Sequence, residues 1–461
     1  MINKMKNIIG TLIVVTMLSS SLTGCNIYSN YQRSTDTEEV DSLYNYIEST
    51  NDTTNISSLP WRELFTDTIL QSHIEQALEN NTSLNVARLN VDQAQIALKS
   101  ARLAFLPSVN AVPQGNLTSF NGSTSQTYNL SVSASWEIDV FGKLRNAKER
   151  SKSALEHSVA YRQAVQTQLI ATVANTYYSL LMLDNQLDIS MRTKDNWQEN
   201  IRAVTALKNA GKMNQISVFQ AEANKIALTS HVIKIERQIK DLENSFSSLL
   251  AINPQHINRG TLAKVTFPTE LSVGVPIQLL TNRPDIRVAE HNLAQMFYAT
   301  NEARSALYPS ITLGGAAGFS NSAGAILNPA TMIYNAVVSI MQPIFNGGML
   351  RAQVKISESK QEQAMLQFQQ AILDAAVEVN TALIQWQSAT ERLDHETLQL
   401  EILEKAVSGS QLLMKYGSAT YMEVLIAQLS LLQTELTYST TKFDEIQGVI
   451  NLYRALGGGE K

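Results

Sequence analysis

The sequence predicts a mainly helical protein that carries a pair of membrane β-hairpins and is built by internal two-fold duplication. Three observations lead there. First, residues of one half return about 202 to 206 positions later, the offset drifting in two small steps: Ala87, Ala97, Ala101, Arg102, Ala104 and Pro107 reappear as Ala289, Ala299, Ala303, Arg304, Ala306 and Pro309, Phe141 as Phe345, and Gly211, Val218 and Ala221 as Gly417, Val424 and Ala427. Second, Tyr128, Leu130, Val132, Ala134, Trp136, Ile138 and Val140 alternate with Asn129, Ser131, Ser133, Ser135, Glu137 and Asp139, the period of a strand with one oily and one wet face. Third, residues 143–209 and 349–415 contain no proline and reach a turn only at a glycine. A period near two hundred residues excludes a solenoid and points to two structural halves.

Composition bounds the function. Apolar residues make up 44% of the 461 and charged ones 17%, so a large buried surface is available. The net charge of −5 is mild, no basic cluster is dense enough to hold phosphates, and nucleic acid is not an expected partner.

Residues 1–24 read as a signal peptide. Lys4 and Lys6 precede an apolar run from Ile8 to Leu18 that is too short to span a bilayer comfortably, and Leu22-Thr23-Gly24 leads into Cys25. This resembles a bacterial lipoprotein signal, with an ordinary secretory signal as the alternative. Cys25 is the only cysteine, which excludes an internal disulfide, a cysteine-based zinc site and a cysteine nucleophile elsewhere; its expected role is to carry covalent lipid. Asn26, rather than aspartate, follows it, which by resemblance to lipoproteins in general favours the outer membrane. Residues 25–59 are polar and read as a tether.

The first repeat covers 60–252. A helical pattern runs from Pro60 to Phe105 through Leu70, Ile74, Ala77, Leu84, Ala87, Val91, Ala94 and Leu98, and Pro107 stops it. A β-hairpin over 108–140 follows, its first strand at roughly 108–118 and its Ser/Asn/Gly-rich loop at 119–126. Then come a helix over 143–209, on the order of 100 Å long at 1.5 Å per residue, a turn at Gly211 and a returning helix over 214–252. A connector, 253–285, holds Pro254, Pro268, Pro276 and Pro284. The second repeat, 286–456, has the same order: helix, β-hairpin 310–345, helix 349–415, a turn at Gly417 and a returning helix 420–456, with 457–461 as a tail. Its hairpin is less clean, because Ile333, Val337 and Met341 fall on the face that should be polar.

Strands of about ten residues span a bilayer when tilted, and sheets are permitted there only when closed. Four strands cannot close around a pore, so several chains must combine. A half-exposed strand of a soluble sandwich is the alternative for the hairpins, and a solvated coiled-coil stalk for the long helices, although strict heptads are not sustained.

Several segments in order then carry a resemblance. Leu280-Thr281-Asn282-Arg283-Pro284-Asp285-Ile286-Arg287-Val288-Ala289-Glu290, Tyr308-Pro309-Ser310, Trp136-Glu137-Ile138-Asp139-Val140-Phe141-Gly142, Gln342-Pro343-Ile344-Phe345 and Ala455-Leu456-Gly457-Gly458-Gly459 resemble the outer-membrane efflux proteins of the TolC superfamily, in their OprM/NodT-like lipoprotein branch. The resemblance implies a homotrimer whose β-barrel sits in outer-membrane lipid and whose α-barrel reaches through the periplasm. It further implies a membrane-fusion adaptor and an inner-membrane transporter, commonly of the resistance-nodulation-division type, as partners. Efflux of drugs or other small toxic compounds is the implied function, with ABC-driven protein secretion or a lipid-anchored scaffold without a pore as alternatives.

By that resemblance Gly211, Lys212 and Met213, with Gly417, Ser418 and Ala419, form the periplasmic tip where gating and adaptor docking occur; a helix-ending glycine without a partner is the plainer reading. Relatives that place an aspartate just after the second glycine form an acidic ring, whereas Ser418, Ala419 and Thr420 stand here and Glu423 is the nearest acid. Arg283, Pro284 and Asp285 match the family signature, and a structural role is expected, with Pro284 opening a helix and Asp285 near its positive end. Glu137 and Asp139 are candidate lumen charges, or paired within the wall. Trp136 suits a membrane interface or a core. The six histidines show no ligand spacing, and no nucleophile elbow, catalytic carboxylate pair or nucleotide loop is present, so neither an enzyme nor a cofactor is expected.

Overall fold

The computed structural model describes residues 29–32, 56–265, 267, 282–321 and 331–459; Cys25, the signal peptide and most of the tether lie outside them. In chain order the elements are α1 (Trp61–Leu64), α2 (Thr68–Asn80), α3 (Thr82–Leu103), β1 (Ser108–Phe120), β2 (Ser123–Ile138), α4 (Lys143–Asn209), α5 (Gln215–Leu249), α6 (Pro284–Ser305), β3 (Ser310–Asn321), β4 (Thr331–Met341), α7 (Met349–Lys415) and α8 (Tyr421–Ala455). The duplication is plain in the helix lengths: α3 and α6 have 22 residues each, α4 and α7 have 67, and α5 and α8 have 35.

Two compact units emerge. One gathers the described residues from 90 to 159 and from 288 to 369 with the short 29–32 segment; the other gathers those from 56 to 89, 160 to 287 and 370 to 459. The first unit holds the sheet, antiparallel throughout and ordered β1-β2-β3-β4. Its middle seam, β2 on β3, joins the two repeats, with Ile138 opposite Ile311 and Tyr128 opposite Asn321. The second unit holds the aromatic core. Tyr177, Tyr178, Phe65 and Phe246 are fully buried there, and the Tyr177 hydroxyl donates to Asp67 at 2.6 Å while accepting the Gly260 amide at 3.0 Å. Burial and the Asp67 carboxylate push the Tyr177 phenol far above its ordinary pKa.

Three expectations need correction. The helical pattern over Pro60–Phe105 is three helices, because Asp67 caps α2 by accepting the Ile69 amide, and Asn81 separates α2 from α3 by accepting the Leu84 amide. The loop at 119–126 is a two-residue turn. Asn121 and Gly122 take φ +50° and +79°, the paired left-handed conformation that matches strand twist, so β2 starts at Ser123. The drift of the repeat also has a single step. Ser108 donates to the Ser135 carbonyl as Ser310 does to that of Met341, and Trp136 Nε1 donates to the Phe105 carbonyl as Gln342 Nε2 does to that of Leu307. These pairs shift by about 202 in the first strand and about 206 in the second, so the extra residues sit in the hairpin link and Phe345 is not the positional counterpart of Phe141.

Candidate functional site

The sheet is the first functional surface. Pairing puts Val109, Ala111, Leu117, Leu130, Val132, Trp136, Leu313, Phe319, Tyr334, Val338 and Ile340 on one face, and Asn110, Gln114, Asn116, Ser131, Ser133, Thr312 and Ser339 on the other. Leu117, Leu130, Val132, Tyr334, Val338 and Ile340 are exposed, as a lipid-facing surface requires. Among the described residues β1 and β4 each have one strand neighbour, so the sheet has two open edges. No described helix is long and apolar enough to cross a membrane.

The candidate lumen charges are both engaged. Glu137 ends the polar face of β2 and pairs with Lys143 at 2.9 Å. Asp139 stands past the end of the strand rather than on its face; its carboxylate accepts the Leu144 and Arg145 amides at 3.0 and 2.9 Å and holds the Arg145 guanidinium. An anion at that end complements the α4 dipole, so Asp139 fastens the hairpin to the long helix.

The two helix turns are built alike. Gly211 takes φ +75° and Gly417 φ +78°. Behind them the Lys212 amide donates to the Leu207 carbonyl and the Ser418 amide to that of Leu413, both at 2.9 Å, while the glycine amides donate to Lys208 and Met414. This double closure needs a residue free of the Cβ penalty at the left-handed position. The next helix starts differently in each repeat: Asn214 accepts the Ser217 amide, whereas Glu423 reaches back to the Thr420 amide at 2.9 Å. Glu423 is thus part of a helix cap. The structure brings the two turns together, since Val204, Val218, Ala221, Tyr421 and Leu425 form one buried cluster with Met213 and Met414 against it. Lys212, Ser418 and Tyr416 remain exposed around that cluster, as does Ile216.

Arg283, Pro284 and Asp285 form a clamp. Pro284 is the first residue of α6. The Arg283 side chain, 5% exposed, donates to Asp285 at 3.0 and 2.5 Å, to Glu378 of α7 at 2.9 Å and to the Ala455 carbonyl at the end of α8 at 2.9 Å. Burial opposes ionisation of both partners, but their mutual hydrogen bonds outweigh it, holding the Asp285 carboxyl below and the Arg283 guanidinium above their usual ranges. A second clamp was not legible in the sequence. Arg259 binds Asp184 and Glu243 at 2.5 to 2.9 Å, and His256 adds a contact to Glu243 at 2.7 Å. Its members come from α4, α5 and the connector, and no local spacing announces them.

An antiparallel sheet with one apolar and one polar face, followed by helices of 67 residues that return at glycine turns, is the fold of an outer-membrane channel subunit. The chain belongs to the outer membrane efflux protein family, whose model it matches over residues 73–251 and 275–458. It is 28% identical to the cation efflux system protein CusC of Escherichia coli (strain K12), over 95% of this chain and 97% of that one. It is 30% identical to the pyoverdine export outer membrane protein OpmQ of Pseudomonas putida (strain KT2440), over 87% and 88% of the two chains. Among solved structures, the open state of the Neisseria gonorrhoeae MtrE outer membrane channel superposes with a TM-score of 0.84 at 26% identity, covering 94% of this chain and 98% of that one. The protein is therefore an outer-membrane efflux channel component.

Proposed function

We propose that three copies of this chain, each lipidated on Cys25 after removal of residues 1–24, form the passive exit duct of a tripartite efflux system. An inner-membrane transporter, of the resistance-nodulation-division type, and a periplasmic adaptor deliver the cargo. The cargo class is drugs or other small toxic compounds. The relatives widen that range, since their names cover cations, pyoverdine and toluene.

The observation that carries this reading is the sheet with two open edges, one apolar face and one polar face. A bilayer core offers no water to unpaired backbone groups, so the edges of one copy must be met by those of others. Three copies supply twelve strands, enough to surround an aqueous channel, whereas four strands are not. The turns at Gly211 to Met213 and Gly417 to Ala419 are proposed as the docking and gating end, supported by the cluster they share. Transport here is conduction; neither catalysis nor a cofactor is part of the proposal.

Deleting the gene should sensitise the host to a panel of drugs, dyes, bile salts and metal cations, and purified protein should give discrete conductance in planar bilayers. Unchanged sensitivity across the panel, with no conductance, would sink the proposal.

A further inference from the structure

We infer the register in which β4 of one copy pairs with β1 of the next: residues lie opposite each other when their numbers add to about 453, as Ser339 with Gln114 and Asn335 with Thr118. The inference rests on the trimer reading above and adds which residues meet.

The duplication supplies the first argument. The β2–β3 seam already joins a first-repeat strand to a second-repeat strand inside one chain, with numbers adding to 449 (138 + 311). If the repeats follow one another around a barrel, the seam from β4 to the next copy's β1 is the same seam moved on by one repeat. Moving β2 to β4 adds about 206, and moving β3 to β1 subtracts about 202, as the matching hydrogen bonds of the two hairpins establish. The sum becomes 449 + 206 − 202 = 453.

A second argument is independent of symmetry. The polar face of β1 carries two apolar residues, Val112 and Phe120, among Ser108, Asn110, Gln114, Asn116 and Thr118. The same face of β4 carries Ile333, Val337 and Met341 beside Asn335 and Ser339, and these three apolar residues are exposed in the single chain. At a sum of 453, Ile333 meets Phe120 (333 + 120) and Met341 meets Val112 (341 + 112). Slipping by two residues either way, the smallest slip that keeps both faces, matches none of them, and slipping by four matches one. The apolar residues that made the second hairpin look impure thus become two cross-strand pairs at the junction. Val337, opposite Asn116, is left unmatched.

The only native cysteine is Cys25, so introduced pairs report cleanly. In the full-length lipoprotein in outer membranes, Ser339→Cys with Gln114→Cys, and separately Asn335→Cys with Thr118→Cys, should oxidise to a covalent trimer on denaturing gels. Comparison variants pair Ser339→Cys with Val112→Cys or with Asn116→Cys, whose sums are 451 and 455. A two-residue slip moves partners about 7 Å along the strand, beyond disulfide reach, so these should stay monomeric. Linking in a comparison variant, with both matched pairs unlinked, overturns the register and leaves the trimer standing. Absence of linking in all four, with native mass giving a trimer, overturns β4–β1 pairing. A monomer by native mass overturns the trimer itself.

Discussion

The two repeats close the same contact with different chemistry. In the first, the Asn81 amide group, at the head of α3, donates to the Leu249 carbonyl at the end of α5 at 3.0 Å. In the second, the Arg283 guanidinium, at the head of α6, donates to the Ala455 carbonyl at the end of α8 at 2.9 Å. The residues correspond through the offsets of about 202 and 206. Both satisfy a helix-end carbonyl that has no partner within its own helix. The first repeat does so with a neutral side chain, whereas the second buries a cation and must surround it with Asp285 and Glu378, where the first has Ser83 and Thr172. The family signature Arg283-Pro284-Asp285 is therefore the charged form of Asn81-Thr82-Ser83, and the position matters to the fold more than its charge.

Breaking the two versions separately sharpens that comparison. Arg283→Met should be the most damaging change, lowering stability by about 3 kcal/mol, because it leaves the Asp285 carboxylate without its cation and the Ala455 carbonyl without its donor, while Glu378 keeps Arg454 at 3.4 Å. Asn81→Ala removes one hydrogen bond and one cap and should cost about 1 kcal/mol. The apparent thermal midpoint of the purified protein in detergent would rank them; equal shifts would contradict the charged-clamp account.

The ends of the returning helices give the next contrast. Ala251 and Gly457 are counterparts, at φ +55° and +89°, and each closes its helix with the same pair of backbone bonds. Gly457→Ala should cost about 2 kcal/mol, since the new methyl adds strain and meets the Asn282 carbonyl. Ala251→Gly should gain about 0.5 kcal/mol by releasing the existing strain. Inside α7, Gly409 has the opposite history: its counterpart in α4 is Ala203, and no atom lies near where its Cβ would stand. Gly409→Ala should therefore stabilise by about 1 kcal/mol in the same melt.

The smallest expected effect depends on pH. Glu435 of α8 stands where α5 has Thr229, and burial, reinforced by Glu404 and Asp188, pushes its carboxyl above the usual range. The folded chain thus holds this proton more tightly than the unfolded one, so its stability contribution is present below the ordinary glutamate value and is lost as pH rises through the folded value. Glu435→Gln should raise the midpoint at about pH 8 and leave it unchanged at about pH 4. Asp285, held low by Arg283, acts in the opposite sense: its contribution is present above the ordinary aspartate value and is lost as pH falls through its depressed one.

Much of the fold was legible because it is periodic. The residues of α4 and α7 follow from unbroken helical stretches, and the faces of β2 from strict alternation. What failed was set by single residues. Asp67 and Asn81 interrupt an apolar pattern that runs through them unchanged, and Asn121-Gly122 is a hairpin signal that a broad Ser/Asn/Gly-rich stretch concealed. Of the site, Pro284 as a helix start and the two turn glycines could be read directly, because each is fixed by its own backbone. The partners of Arg283 and Arg259 could not. Glu378 lies 95 residues away and Asp184 lies 75, distances over which sequence carries no spacing rule.

The open edges of the sheet have a consequence for the life of the chain before it assembles. Ile344 is 97% exposed and Phe345 89%, beside a strand whose outer edge has no strand neighbour among the described residues. In water such an edge recruits any strand it meets. If three copies assemble as proposed above, folding of this sheet and recruitment of its neighbours become one concentration-dependent event. In the proposed trimer, a subunit able to offer β4 but with a ruined β1 edge would join a growing ring and stop it, so one defective allele should poison its normal counterpart in the same cell.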